Sequence, residues 1–200
     1  MKILILSTWL WMFVRLAASA QVSFGLPEKI NDHWQFILGE PEAGTAPEFS
    51  RRTRSVQLPH DWSVEGILSP TLASATGYLP GGVGWYRKTL FIPSDETGRK
   101  VYLYFECVYN RSEIFVHGHS AGSRPNGYVS FMYDVTPYVN YGTENEILVR
   151  VDHSRSAASR WYTGSVIYRD VWVDYAQLDE IHKRGGYAYH GKTDERHGQL

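Results

Sequence analysis

Between residues 84 and 174, apolar and polar positions alternate with a period of two in a series of short segments. In NEILVRVD, for example, Ile147, Val149 and Val151 share one face, and the residues between them share the other. This alternation is typical of antiparallel strands with one buried face. Six such segments, rich in β-branched and aromatic residues, are WYRKTLFI, KVYLYFE, SEIFVHG, YVSFMYD, NEILVRVD and VIYRDVWV.

Two further strands are expected before this series, in HWQFIL (residues 33–38) and in VQLPHDW, where Pro59 ends the strand. The one helical signal is DVTPYV, in which Asp134 or Thr136 could cap a single turn. Since no long segment has a helical period, the sequence predicts an all-β sandwich or barrel. A jelly roll of two packed sheets is the commonest version with strands of this length.

The two ends of the chain have a different character. Residues 1–20 combine Lys2, an apolar run and a small-residue ASA motif that ends at Ala20, which predicts a secretory signal cleaved before Gln21. The apolar run is too short to span a bilayer, so we expect export to a periplasm or the extracellular space, with no membrane partner after cleavage. The β domain is predicted over residues 21–175, and residues 176–200 have the composition of a linker or tail.

Composition excludes several classes of protein. The formal net charge is −1 and the basic residues are dispersed, so no nucleic-acid partner is expected.

The single cysteine, Cys107, rules out an internal disulfide and a Cys-based zinc site, and its apolar setting favours a buried, inert thiol. The HGH motif at 117–119 lacks metal-ligand spacing and is interpreted as a hairpin tip. No metal and no cofactor are expected. The 7 Trp and 14 Tyr suit a sandwich interior or a sugar-stacking surface.

A glycine-rich stretch, GYLPGGVGWYRKTL (residues 77–90), leads directly into a strand. Gly81, Gly82 and Gly84 allow positive φ or a close approach of the backbone. A phosphate-binding loop would need a helix after it, so this one is better explained as a tight crossover between sheets than as a ligand contact.

Two other motifs carry candidate chemistry. In LPHDW, His60 and Asp61 are interpreted as a local hydrogen-bonded turn, because no nucleophile in a strand-turn-helix elbow accompanies them. In SRWYTGSVIYRDVWV, Arg160 and Trp161 fall in a loop, where they could bind hydroxyl groups and stack on a sugar ring. If one strand starts at Val166, Arg169 lies on its aliphatic face, which predicts a structural ion pair there. Asp170 is assigned to structural pairing as well.

Taken in order, LPHDWSVEG, GYLPGGVGWYRKTL, NGYVSFMYDVTPYV and SRWYTGSVIYRDVWV resemble the N-terminal sugar-binding domain of glycoside hydrolase family 2, of the β-galactosidase type. The resemblance covers about residues 26–174. It implies a galactose-binding-like jelly roll that precedes an immunoglobulin-like domain and a barrel in the full enzymes. Because the barrel holds both catalytic glutamates of these retaining glycosidases, the chain alone is predicted not to cleave a glycoside.

The resemblance also implies a β-galactoside-like carbohydrate as ligand, the other two enzyme domains as partners and no catalytic residue in this chain. By motif position and chemistry, the substrate-binding candidates are Asp61, Arg160 and Trp161. Cys107 and Val166 stand where the family pattern has glycine, at a cost of about 1 kcal/mol each if those positions need a glycine-specific φ. Two alternatives remain open, a free-standing carbohydrate-binding module and a protein-interaction module.

Overall fold

The computed structural model describes residues 27–41, 49, 53–72, 77–154 and 164–176. Regular structure within these ranges is strand, apart from two 3-10 turns at Ser94–Glu96 and Thr136–Tyr138. The predicted all-β class is therefore confirmed. In chain order the strands are β1 (Glu28–Lys29), β2 (Trp34–Leu38), β3 (Arg54–Val56), β4 (His60–Asp61), β5 (Gly82–Ile92), β6 (Lys100–Phe105), β7 (Val108–Tyr109), β8 (Ser112–Val116), β9 (His119–Arg124), β10 (Phe131–Asp134), β11 (Thr143–His153), β12 (Val166–Ile167) and β13 (Val171–Ala176).

The larger sheet has six strands in the order β3-β2-β5-β11-β8-β9. Its centre is the antiparallel pair β5 and β11, which runs from Gly82 opposite His153 to Ile92 opposite Thr143. Ile147, one of the three predicted inward residues of β11, is 2% exposed, and the other two are fully buried. The period-two alternation thus places this strand as the sequence predicts.

A four-stranded sheet, in the order β1-β13-β6-β10, forms the opposite layer. One continuous apolar cluster contains residues of both sheets, among them Tyr86 and Ile147 from the larger sheet and Phe105 and Val173 from the smaller one. The two sheets therefore enclose a common core, and the domain is a two-layer sandwich. Residues that are less than 2% exposed include Trp34, Tyr86, Phe105, Ile92, Leu103 and Ile114.

A third, short sheet of β4, β12 and β7 lies beside one end of the sandwich. Its central strand pairs Val166 with both Asp61 and Tyr109. Side-chain hydrogen bonds tie it to His153, where β11 ends, and to Gly81, just before β5 begins. This end of the molecule carries the LPHDW motif and the glycine-rich stretch.

Two sequence predictions around β12 are wrong. The segment VIYRDVWV is not one strand, because residues 168–170 bend the chain from the short sheet into the four-stranded sheet. The bend interrupts the alternation of inward and outward side chains between β12 and β13. Arg169 is therefore exposed to solvent and does not lie among aliphatic side chains. Its neighbour Asp170 does have the predicted structural role, since it binds Lys29 Nζ at 2.6 Å and accepts a hydrogen bond from Asn31.

The expected cost at the glycine positions of the family pattern is also absent. Val166 is a buried residue in an extended strand, and neither it nor Cys107 adopts a positive φ. Cys107 is buried as a free thiol, as predicted.

His117 and Gly118 form the predicted hairpin tip with φ values of 48° and 77°, the left-handed pair that suits a two-residue hairpin loop.

The predicted single turn in DVTPYV is present at Thr136–Tyr138, where the Asp134 carboxylate accepts a hydrogen bond from the Thr136 amide. The predicted signal segment, nearly all of the predicted tail, and Arg160 and Trp161 lie outside the described residues. In the part of the chain that the structure describes, no helix has the length and apolar character that crossing a membrane requires.

Candidate functional site

Asp61 lies on the short strand β4, at one edge of the three-stranded sheet. Its side chain is partly exposed, and its Oδ1 accepts two backbone hydrogen bonds, from the amide of Ser63 at 2.9 Å and that of Ser165 at 3.1 Å. The first bond is the local turn predicted for LPHDW. The second spans more than a hundred residues of sequence and joins β4 to the start of β12. One carboxylate oxygen therefore fixes the relative position of two distant segments.

Beside this carboxylate, three buried polar side chains form a continuous series of contacts. Ser63 Oγ donates to the carbonyl of Pro80 at 2.6 Å and lies 2.6 Å from Ser165 Oγ. Ser165 Oγ in turn lies 2.6 Å from Nδ1 of His153. Ser63, Ser165 and His153 are 1%, 0% and 3% exposed, so these bonds are shielded from water. We call these three side chains, with the Pro80 carbonyl, the serine–histidine series.

His60, the other polar residue of LPHDW, faces the core. Its Nδ1 lies 2.8 Å from the Tyr86 hydroxyl, and its Nε2 faces the mutually bonded Arg54 and Glu65. Burial lowers the pKa of His60, with Glu65 opposing this shift and Arg54 adding to it. The ring is therefore a hydrogen-bonded core histidine with its polar atoms engaged, and it is not part of the local turn that the sequence predicts for His60 and Asp61.

The glycine-rich stretch serves close packing, as its interpretation as a crossover predicts. A Cβ added at Gly81 would lie 2.4 Å from the carbonyl oxygen of His153, and one at Gly84 would lie 2.8 Å from the Phe36 ring. Gly82 adopts a φ of +113°, which favours glycine. The stretch lets the chain pass from β4 in the short sheet to β5 in the six-stranded sheet directly over the end of β11.

A second polar group lies at the end of β11. Arg111 donates to the Asp152 carboxylate at 3.3 Å, and Ser154 donates to the same oxygen through both its amide and its hydroxyl. Burial opposes ionisation there, but these hydrogen bonds together hold the pKa of Asp152 well below its ordinary value. The Tyr109 ring packs edge-on against His153, with 5.2 Å between the ring centroids. His153 is thus enclosed on several sides.

Arg160 and Trp161 belong to the segment 155–163, which lies outside the described residues. The described chain leaves β11 at Ser154 and returns at Gly164, next to Asp61. A Cβ at Gly164 would lie 2.5 Å from Asp61 Oδ2, so the return of the chain is in direct contact with the carboxylate. Of the three predicted site residues, the structure places Asp61 alone.

Sequence reasoning missed the serine–histidine series. Ser63 and Ser165 lie in motifs whose Asp, Arg and Trp residues carry the clearer chemical signal, and His153 ends a strand whose alternation indicates only which face is buried. The Pro80 carbonyl carries no sequence signal at all. Within the described ranges, no three His, Cys, Asp or Glu side chains come together as a metal site would require.

The segment between β4 and β5 presents apolar side chains to solvent. Ile67 is 88% exposed, and Val64, Leu68 and Tyr78 are also exposed. Trp62, in contrast, is 3% exposed and stacks on Phe36 inside the core, so it offers no ring to a ligand. The exposed apolar set therefore lies on the same connecting segment as Ser63, one of the two residues whose amides hold Asp61.

A two-layer β-sandwich in which connecting segments place polar residues at one edge is an architecture that many carbohydrate-binding domains share. Residues 27–185 match the family model described as "Glycosyl hydrolases family 2, sugar binding domain". The chain belongs to this family, as the four motifs predict.

Named relatives agree with this assignment. The chain is 40% identical over 187 residues to beta-galactosidase BoGH2A of Bacteroides ovatus, a match that covers 92% of this chain and 22% of the relative. It is 29% identical over 147 residues to a beta-glucuronidase of Bacteroides fragilis, covering 71% and 19%. A solved beta-glycosidase from Bacteroides vulgatus superposes with a TM-score of 0.70 at 43% identity, over 76% of this chain and 20% of that one. The chain spans about a fifth of the length of these relatives.

Proposed function

We propose that this chain acts as the jelly-roll, sugar-binding N-terminal domain of an exported family 2 glycosidase of the β-galactosidase type. Family membership supports the domain assignment, and the 40% identity to a β-galactosidase supports the substrate class. The observation that carries the proposal is the position of Asp61, a carboxylate fixed by two backbone amides from segments that are far apart in the sequence.

In this proposal Asp61 accepts a hydrogen bond from a sugar hydroxyl, since the two oxygens of a carboxyl group can together accept several hydrogen bonds. Arg160 donates to neighbouring hydroxyls, and Trp161 stacks on the apolar face of the ring. The described chain flanking their segment lies beside Asp61, which supports a shared role for the three residues.

Hydrolysis itself would come from elsewhere in the enzyme. A retaining glycosidase needs two carboxyl groups about 5–5.5 Å apart across the scissile bond. We assign this pair to a barrel domain, as in the family pattern, and expect the present chain alone to release no sugar from a β-galactoside. Residues 1–20 would direct export and be removed before Gln21, and residues 176–200 would lead into the next domain.

The exposed apolar residues between β4 and β5 suit contact with those other domains. Val64, Ile67, Leu68 and Tyr78 are exposed on one connecting segment, and exposed apolar surface is a feature of protein-contact sites. Because this segment also holds Asp61, a domain packed against it would complete the sugar pocket from the other side.

The experiment that tests the proposal is a chimera in which residues 21–200 replace the corresponding part of BoGH2A. We expect the chimera to hydrolyse an aryl β-galactoside, and Asp61→Ala to lower kcat/KM by about tenfold or more, the loss of one hydrogen bond to a charged group. Glu144→Gln, an exposed change at the opposite end of β11, is the matched control. Equal kcat/KM values for Asp61→Ala and the control would contradict the proposal.

A calorimetric titration separates this function from a free-standing carbohydrate-binding module. The mature chain alone is titrated with galactosides up to millimolar concentration. We expect no measurable heat of binding, because the pocket is completed by other domains. A saturable signal that Asp61→Ala abolishes would favour the module instead.

A further inference from the structure

The number of protons available in the serine–histidine series determines which group donates each hydrogen bond. Ser63 Oγ carries one proton, and the Pro80 carbonyl can only accept, so that proton lies in the Ser63 to Pro80 bond. The 2.6 Å contact between the two serine hydroxyls must then contain the Ser165 proton. With its own proton used, Ser165 Oγ can only accept from His153, so Nδ1 of His153 carries a hydrogen.

The opposite direction fails on the same distances. If Ser165 donated to His153, no proton would remain for the contact between the two hydroxyl oxygens, and their lone pairs would face each other at 2.6 Å. That arrangement is repulsive, and burial makes such an unsatisfied polar contact costly. The series therefore runs from His153 through Ser165 and Ser63 to Pro80, with a donor at each step.

The two serines in this series also hold Asp61. The backbone amides of Ser63 and Ser165 are the two donors to Asp61 Oδ1, so anything that shifts these residues shifts the carboxylate. Their side chains are joined to each other and to His153, which begins the series from a different strand. Gly81 packs closely against the His153 carbonyl, next to this arrangement.

We propose that His153 is a positioning residue for the Asp61 carboxylate, acting through Ser165 and Ser63 by donating the Nδ1 hydrogen. The inference rests on the proposed sugar-binding role of Asp61 and adds a specific requirement to it. The requirement is a hydrogen-bond donor at the Nδ1 position of residue 153, and not an imidazole as such.

The charged groups around His153 fit this role. Arg111, Asp152 and Asp61 all act electrostatically on His153, and the Tyr109 ring packs against the imidazole. Burial and the nearby Arg111 lower the pKa of His153, against the opposing effect of Asp61 and Asp152, so the neutral ring is favoured. Both the neutral Nδ1–H tautomer and the imidazolium carry the donor that Ser165 needs.

Two substitutions distinguish a requirement for the hydrogen-bond donor from a requirement for the imidazole ring. In His153→Asn, the amide nitrogen occupies about the place of Nδ1 and can donate to Ser165. In His153→Gln, the amide is one carbon further out, near the place of Nε2, and leaves the Ser165 hydroxyl without its donor. Both variants remove the imidazole and leave a neutral amide, so they are matched in charge and polarity.

The first readout needs no sugar and uses the 200-residue chain. Nitrogen-15 NMR of the unsubstituted protein should show the proton of neutral His153 on Nδ1, and a proton on Nε2 alone would overturn the inference. The amide resonances of Ser63 and Ser165 should stay near their original positions in His153→Asn and move in His153→Gln. Equal shifts in the two variants would also overturn it.

The second readout uses the chimera with BoGH2A. We expect His153→Gln to raise KM for the aryl β-galactoside several-fold, in the direction of Asp61→Ala, and His153→Asn to restore most of the loss. Equal KM values for the two variants would contradict the positioning role. If Asp61→Ala itself left the kinetics unchanged, the proposed function would fail, whereas the NMR result would still report on the donor at residue 153.

Discussion

The centre of the six-stranded sheet and the small sheet that carries Asp61 are held together in different ways. At the centre, β5 and β11 pair over eleven residues, and apolar side chains such as Ile147 fill the space between the layers. At the edge, β4 and β12 are two residues long each, and buried serine and histidine side chains make the connections. Long strands are aligned by their backbones, and short ones need side-chain hydrogen bonds to fix them.

The two kinds of contact have different consequences. Apolar burial contributes about 25 cal/mol per Å² and has no direction, so the centre supplies stability as long as its total volume stays filled. A buried hydrogen bond contributes about 0.5–1.5 kcal/mol net but has a defined geometry. The edge therefore gives less stability and more positional accuracy, which is what a binding carboxylate requires.

The largest effect is expected from a cavity at the centre. Ile147→Ala should lower the free energy of unfolding by about 2–5 kcal/mol, because it removes buried apolar atoms and leaves a cavity that the two packed sheets cannot close. Urea denaturation of the mature chain measures the change. The amide resonances of Ser63 and Ser165 should stay in place, and large shifts there would show that the two regions are not separate.

A smaller loss is expected where the two regions meet. Gly81→Ala would bring a Cβ to 2.4 Å from the carbonyl oxygen of His153, and the backbone must move to make room. We expect a loss of about 1–3 kcal/mol, typical of overpacking, together with shifts of the Ser63 and Ser165 amide resonances. Stability and spectra close to those of the unsubstituted chain would refute the close approach.

Acid should lower the stability of the fold through the buried histidines His60 and His153. The pKa values of His60 and His153 are both lowered by burial, so the unfolded state takes up their protons first as the pH falls. Stability should therefore be full above the ordinary histidine pKa of about 6.5 and decline as the pH falls below it towards the lowered values. Urea midpoints measured between pH 7.5 and 5 test this, and His60→Gln with His153→Asn should remove most of the slope.

Much of the fold could be predicted from sequence because the alternation of apolar residues records which face of each strand is buried. Arg169 was misplaced because the bend at residues 168–170 depends on where the chain changes sheets, which no local pattern specifies. The serine–histidine series was invisible for a similar reason. Ser63 and Ser165 are about a hundred residues apart, and only the sheet topology brings them to His153.

The smallest contrast compares two adjacent charged residues. Asp170→Ala removes contacts with Lys29 and Asn31 and should cost about 1–2 kcal/mol, whereas Arg169→Ala should change stability by less than about 0.5 kcal/mol because the side chain is exposed. Thermal or urea unfolding of both variants measures the difference. A larger loss for Arg169→Ala would restore the structural ion pair that the sequence suggested.

The most direct test of the account is a crystal structure of the BoGH2A chimera with a galactoside bound. We predict a sugar hydroxyl about 2.5–3.0 Å from a carboxylate oxygen of Asp61, with the amides of Ser63 and Ser165 still donating to Oδ1. A sugar bound at another face of the sandwich, or in the barrel without contact to Asp61, would contradict the central claim.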